Sequence, residues 1–318
     1  MGEFGYMSKI LVGSLCLLAA AGMWGGMYVV SKYVLEYVSP FVLLWLRYLL
    51  AFVLLWLFWF FQKKQRIESR DLPLIFWLGF TGYIVSNASG FIGTQLSSAH
   101  MGALVSSSSP VFALLLAYFL IKEQLTLKKI ISVVIASFGL VLVIGFEVGV
   151  GKGHLLGNLL LILGAIAWAL YSVDVKKIGS KYSALTITTF ATGVALIMMT
   201  PAMLFDIEKK DFDQLKEFPV LLGILYLGVF ATAAAFFLWN KGMESMEAGI
   251  GSMFYFFAPI IGGLFGWFFL KEAISPSFLA GGILIFIGTL ILFLKKPQFF
   301  VKNTKDLEFE IERVNEKI

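Results

Sequence analysis

The sequence predicts an all-α polytopic membrane protein, with ten transmembrane helices forming two inverted five-helix repeats and both termini cytoplasmic (N-in and C-in). Three observations lead there. The 318 residues are 59% apolar and 14% charged, with a mean hydropathy of +0.88, whereas a soluble domain carries about 25% charge. Apolar runs near the ~20 residues needed to cross a bilayer recur along the whole chain. Scarce residues also repeat at a fixed shift of 149 positions, the mark of an internally duplicated architecture.

The same composition excludes a soluble globular protein and a nucleic-acid binder. Cys16 lies inside an apolar run, which excludes a disulfide framework and a cysteine-based metal site. His100 and His154 are the only histidines, so no metal centre or other cofactor is expected. No G-x-S-x-G element, paired-aspartate motif or histidine cluster suggests an enzyme, and no G-x-x-x-x-G-K-[ST] loop supports ATP hydrolysis.

Residues 1–9 form an N-terminal segment, in which 1–6 read as a cloning remnant before a second start at Met7. The first repeat, 10–146, holds apolar spans at 10–30, 41–61, 72–93, 101–121 and 130–146. Ala19 to Ala21 could pass for a signal-peptide cleavage site, but the apolar run continues to Val30 and favours a span. A connecting loop, 147–154, precedes the second repeat, 155–294, with spans at 155–175, 185–205, 220–239, 248–270 and 278–294. A charged cytoplasmic tail, 295–318, follows. Pro40, Pro73, Pro201, Pro219 and Pro276 fall at span ends, where a missing N–H costs least, but Pro110 and Pro259 fall inside spans.

Sidedness comes from the basic residues. With the N-terminus inside, 18 Lys and Arg residues fall on the cytoplasmic side and 6 on the other, and Arg47 is left within a span. That bias favours N-in and C-in. The 149-residue shift lays Gly79 on Gly228, Gly102 on Gly251, Pro110 on Pro259, Lys122-Glu123 on Lys271-Glu272 and Gly139 on Gly288; a shift of 144 lays Gly13 on Gly157 and Trp24 on Trp168. Five crossings is an odd number, so the second copy enters the membrane from the opposite face. Inverted repeats are characteristic of secondary transporters, which makes transport the leading class.

Arg47-Tyr48 in the second span, Ser109-Pro110 followed by Lys122-Glu123-Gln124-Leu125-Thr126, and Pro259 followed by Lys271-Glu272 carry a family resemblance. Over about residues 8 to 296 the chain resembles the EamA-type proteins of the drug/metabolite transporter superfamily. The resemblance implies an exporter of amino acids or related small amphipathic metabolites, with a central cavity walled by both halves and peripheral fifth and tenth spans. One departure stands out. Where an arginine matching Arg47 would lie in the seventh span, the sequence reads Thr186-Ile187-Thr188-Thr189.

Polar and aromatic residues left within the spans are the candidate substrate contacts, because polar groups are costly in hydrocarbon. Trp24 and Tyr28 share a face of the first span, and Trp168 and Tyr171 occupy its counterpart. Such faces can stack a planar ligand, or simply sit at a membrane interface. Tyr83, Asn87, Gly90 and Thr94 recur at helical spacing, opposite Thr232, Phe236, Trp239 and Met243 in the other half. Asn87 reads equally as interhelical glue. Ser107 precedes Pro110 and Tyr255 precedes Pro259, and the two prolines are candidate hinges. Asp174 is the candidate proton-coupling acid, with an ordinary salt bridge to Lys176 or Lys177 as the plainer role. Arg47 either snorkels outward or faces the bundle interior, tying helices together or drawing in a substrate carboxylate. The GxxxG spacings Gly22/Gly26 and Gly262/Gly266 are assigned to internal packing, which leaves a homodimer without support. The expected partners are a small-molecule substrate and the lipid bilayer, in a bacterial inner (plasma) membrane. A channel or lipid scramblase of the same topology is the alternative, followed by a membrane-embedded enzyme.

Overall fold

The computed structural model describes residues 3–62, 65, 67–97, 105–144, 152–208, 211, 214–270 and 274–294. Its elements are helical. In chain order they are α1 (Glu3–Val34), α2 (Pro40–Phe61), α3 (Leu72–Leu78, continuing through Gly79–Val85 into Ser86–Leu96), α4 (Ser109–Ile121) and α5 (Leu127–Ile144). Then come α6 (Lys152–Ile178), α7 (Ala184–Asp206), α8 (Phe218–Leu225, Tyr226–Ala234, Ala235–Met243), α9 (Ala248–Ser252, Met253–Phe256, Phe257–Leu270) and α10 (Pro276–Phe293). Among the described residues, eight helices are long and apolar enough to cross a membrane, and α4 is a shorter apolar helix of 13 residues. The chain is therefore a polytopic, all-helical membrane protein. Much of the bundle exterior is apolar, with Phe205, Phe61 and Leu127 exposed, as a lipid-facing surface requires.

Helix starts follow local chemistry. Ser39 is extended at the N-cap of α2 and Pro40 opens the helix, where proline's fixed φ fits. The side chain of Ser39 does not cap its own helix. Asp211 instead accepts from the Ser39 N–H at 2.8 Å, and Asp206 from the Phe41 N–H at 2.8 Å. Ser183 is likewise extended at the N-cap of α7, but its hydroxyl does cap the helix, accepting from Thr186 N–H, while Glu244 accepts from Ala184 N–H at 3.0 Å.

The close contacts come in pairs at the sequence shifts. A Cβ at Gly93 of α3 would lie 2.8 Å from the Gly157 carbonyl of α6; one at Gly242 of α8 would lie 2.8 Å from the Gly13 carbonyl of α1. Gly79 packs on Val194 of α7, and Gly228 packs on Leu50 of α2. Helices α5 and α10 pack on each other through Gly139 and Gly281, with a small cluster of Val133, Leu140, Met253, Phe256 and Ile285 joining them to α9. Small residues let these backbones approach where lipid supplies no hydrophobic drive between helices. Gly25, which the spacing rule did not single out, makes the close approach of α1 to α9, meeting the backbone of Gly262.

Three expectations need correction. Pro201 lies inside α7, which runs on to Asp206. Pro110 does not kink a continuous span: residues 107 and 108 form a turn, and the proline sits in the first turn of α4, where no N–H is needed. Pro259 likewise follows a 3-10 segment, Met253–Phe256, and lies in the first turn of the resumed helix. In both halves the break precedes the proline. Finally, the Leu50/Val194 and Ser39/Ser183 correspondences fix a shift of 144 for α2 and α7, so the position matching Arg47 is Ala191, not the Thr186–Thr189 stretch.

Candidate functional site

A small cavity of about 40 Å³ lies where both halves converge. Its lining is Trp24 and Met27 of α1, Arg47 of α2, Ser86 and Asn87 of α3, Trp168 of α6, Phe236 of α8 and Tyr255 of α9. Trp24 and Trp168, the pair related by the shift of 144, meet edge to face with ring centroids 5.0 Å apart. Tyr255 packs within 5.6 Å of Trp24 and 5.7 Å of Trp168.

The walls are shaped by two irregular turns. Gly79–Val85 of α3 and Tyr226–Ala234 of α8 are π-helical, and the shift of 149 lays Gly79 on Gly228 and Val85 on Ala234. A π turn displaces backbone bonding and recurs at functional sites. Here the released carbonyls are taken by side chains. Tyr48 Oη donates to Tyr83 O at 2.7 Å, Asn87 Nδ2 to the same carbonyl at 2.9 Å, and Trp24 Nε1 to Ala231 O at 3.0 Å. Thr232 Oγ1 donates back to Leu227 O at 2.7 Å.

Arg47 faces inward and does not snorkel. Its side chain is 1% exposed; Nε donates to Thr232 Oγ1 at 3.3 Å, Nη2 approaches Met27 Sδ at 3.2 Å, and Nη1 has no hydrogen-bond partner. Among the described residues no carboxylate lies within ion-pair distance of it.

Of the other predicted contacts, Tyr83 lies behind the lining, stacked on Phe236 at 4.1 Å. Tyr171 stacks on Trp168 and donates to Asn240 Oδ1 at 2.9 Å. Trp239 is fully buried beside the cavity, donating to Ser172 Oγ at 3.2 Å and packing on Trp24, Trp168 and Tyr255. Ser107 is buried at the turn before α4 and does not line the cavity. The Tyr28 side chain lies outside the described residues, as do Lys271 and Glu272. Asp174 is buried beside Trp77, six residues beyond Trp168, and the expected salt bridge does not form; Lys176 instead donates to the Glu244 carbonyl at 3.2 Å. Met27, Ser86 and Phe236 also line the cavity without being among the sequence-predicted contacts. Phe236 could have been, since the 149 shift sets it opposite Asn87.

The two halves differ beside the cavity. Gly90 lies one turn beyond Asn87, and a Cβ there would meet no heavy atom within 4 Å, whereas its counterpart Trp239 fills its own space completely. At the Trp239 end, Glu123 caps α9 by accepting from the N–H groups of Ala248 and Gly249, and Lys129 pairs with Glu247. Lys181 at the same end pairs with Asp71 and with Glu68 at 2.8 Å. These hydrogen bonds raise the Lys181 ammonium above its ordinary pKa, Asp71 contributing most, and Lys181 holds Glu68 below the usual carboxylate range.

A cavity of this kind, built from two equivalent halves, agrees with what the chain is similar to. It is 27% identical over 303 residues to the "Uncharacterized transporter YetK" of Bacillus subtilis, covering 92% of this chain and 91% of that one. It is also 27% identical over 282 residues to an "Uncharacterized transporter" of Archaeoglobus fulgidus, covering 89% and 99%. A solved crystal structure shares the fold with a TM-score of 0.78 at 18% identity, covering 91% of this chain and 99% of that one. The model of the EamA-like transporter family matches residues 11–145 and again residues 155–294. The chain belongs to the EamA-like transporter family.

Proposed function

We propose that the protein is a secondary transporter of small amphipathic metabolites, an alternating-access exporter working without ATP. In this reading ten transmembrane helices form two inverted five-helix repeats, N-in and C-in, in the inner membrane of a bacterium. The observation that carries it is a cavity walled by both halves, with Trp239 filling the space beside it in one half and Gly90 leaving the equivalent space empty in the other. Under the N-in orientation Trp239 lies on the cytoplasmic side, and in this reading solute reaches the cavity from the Gly90 side.

Trp24, Arg47, Asn87, Trp168 and Tyr255 contact the substrate directly. Tyr83, Tyr171 and Trp239 support that wall, and Tyr28 and Ser107 border the path. The breaks before Pro110 and Pro259 are the hinges, placed equivalently in the two halves. Asp174 is the acid assigned to proton coupling. The test is counterflow in liposomes holding purified protein: saturable exchange of labelled against unlabelled solute, independent of ATP, is the expected result. Linear, non-saturating flux would identify a channel, and movement of fluorescent lipid alone a scramblase.

A further inference from the structure

The Arg47 guanidinium is buried in a bundle that spans a membrane, with Nη1 unpartnered and no carboxylate facing it among the described residues. A charge so placed is expensive to keep unless something pairs with it. Beside it the cavity is walled by Trp24, Trp168, Phe236 and Tyr255, and its other polar lining groups, Ser86, Asn87 and the Tyr255 hydroxyl, are uncharged. We infer that the transported solute is a net monoanion, an aryl or alkyl carboxylate without a free ammonium, whose carboxylate completes the bonding of Arg47. This rests on the carrier reading and narrows its substrate class.

A zwitterionic amino acid would lack adequate acceptors for its ammonium. An ammonium taken from water needs an anion or several carbonyls. The lining offers no carboxylate; its acceptors are the neutral oxygens of Ser86, Asn87 and Tyr255, and the carbonyls released by the π turns are already engaged by Tyr48, Asn87 and Trp24. The ring faces would attract a cation, but the Arg47 charge in the same small cavity opposes it. A carboxylate meets the opposite situation, a fork of donors with one arm free. Chloride would satisfy the charge and leave the aromatic walls unused, so the organic anion is the better match.

The test uses purified full-length protein and three probes of one skeleton: N-acetyl-phenylalanine (anion), phenylalanine (zwitterion) and N-acetyl-phenylalaninamide (neutral). Thermal-stability titration should give the anion an apparent Kd at least about tenfold tighter than either of the others, since a ligand of the folded state raises Tm. Arg47→Lys should keep that order with weaker binding, and Arg47→Gln should bring the three probes within about twofold. Equal binding of all three to the wild type, a preference for phenylalanine, or no binding would overturn the inference without needing any variant to fold. So would stabilisation by sodium chloride over sodium gluconate that the acid does not reproduce. Liposome counterflow separates the two readings. Phenylalanine bound as tightly as the anion and exchanged would leave the carrier standing and remove the anion preference, whereas anion binding with no exchange would do the reverse.

Discussion

Arg47 shows what a sequence can say about a single residue. Seven positions beyond Pro40, about 10 Å along a helix, it should start nearer one surface than the midplane, which leaves snorkelling and inward burial both open. The partner that decides between them, Thr232, lies 185 positions away on α8. Only packing brings the two together. Lys122 is a smaller case. Among the described residues it is the non-glycine position with positive φ, 55°, ending α4 in the left-handed region that turns the chain so that Glu123 can cap α9. A side chain there costs about 1 kcal/mol that glycine avoids. Lys122→Gly should therefore raise stability by about that amount, read as a higher melting temperature in detergent. Lys122→Val should lower it. Glu123→Gln should also destabilise, by about 1 kcal/mol, because the charge-assisted cap on Ala248 and Gly249 weakens.

At the scale of elements, apolar length and scarce repeated residues made the order of helices and their pairing legible. The shift that laid Gly79 on Gly228 and Trp24 on Trp168 also predicts which glycines face which partners, because equivalent positions make equivalent contacts. The π turns were not legible. A π turn changes which carbonyl an N–H bonds while leaving composition and apolar period nearly untouched, so nothing in Gly79–Val85 or Tyr226–Ala234 announces it. The prolines misled in a related way. They mark where a helix resumes, and the irregular turn one step earlier carries no residue that demands it. The glycine pairing yields a test at this scale. A Cβ at Gly93 would press on backbone atoms of Gly157 and Leu161, which cannot swing aside. Gly93→Val should cost about 2–3 kcal/mol by overpacking, seen as a lower melting temperature. Gly22→Val, whose nearest neighbour is the flexible tip of Ile261 at 3.5 Å, should cost clearly less.

For the whole molecule, the charge count and the asymmetric cavity lead to linked predictions. With Cys16 replaced by alanine, a cysteine at Ser180 should resist impermeant thiol reagents in intact cells, and one at Glu217 should label; both sites are exposed, on opposite sides under the N-in topology. Labelling at Ser180 would reverse the orientation. The two halves supply the remaining test, because they differ where the shift of 149 pairs Gly90 with Trp239. In one half an indole fills its space and bonds Ser172; in the other the same position holds no side chain and opens onto vacant volume. If that vacancy is the solute's way into the cavity, Gly90→Trp closes both ends by giving the first half the plug of the second. Because a Cβ there meets no heavy atom within 4 Å, the fold should lose little of its melting temperature while counterflow falls at least about tenfold. Gly90→Ala, which adds a Cβ with no neighbour within 4 Å, should transport normally. A folded Gly90→Trp protein that exchanges solute at the wild-type rate would place the entry path elsewhere.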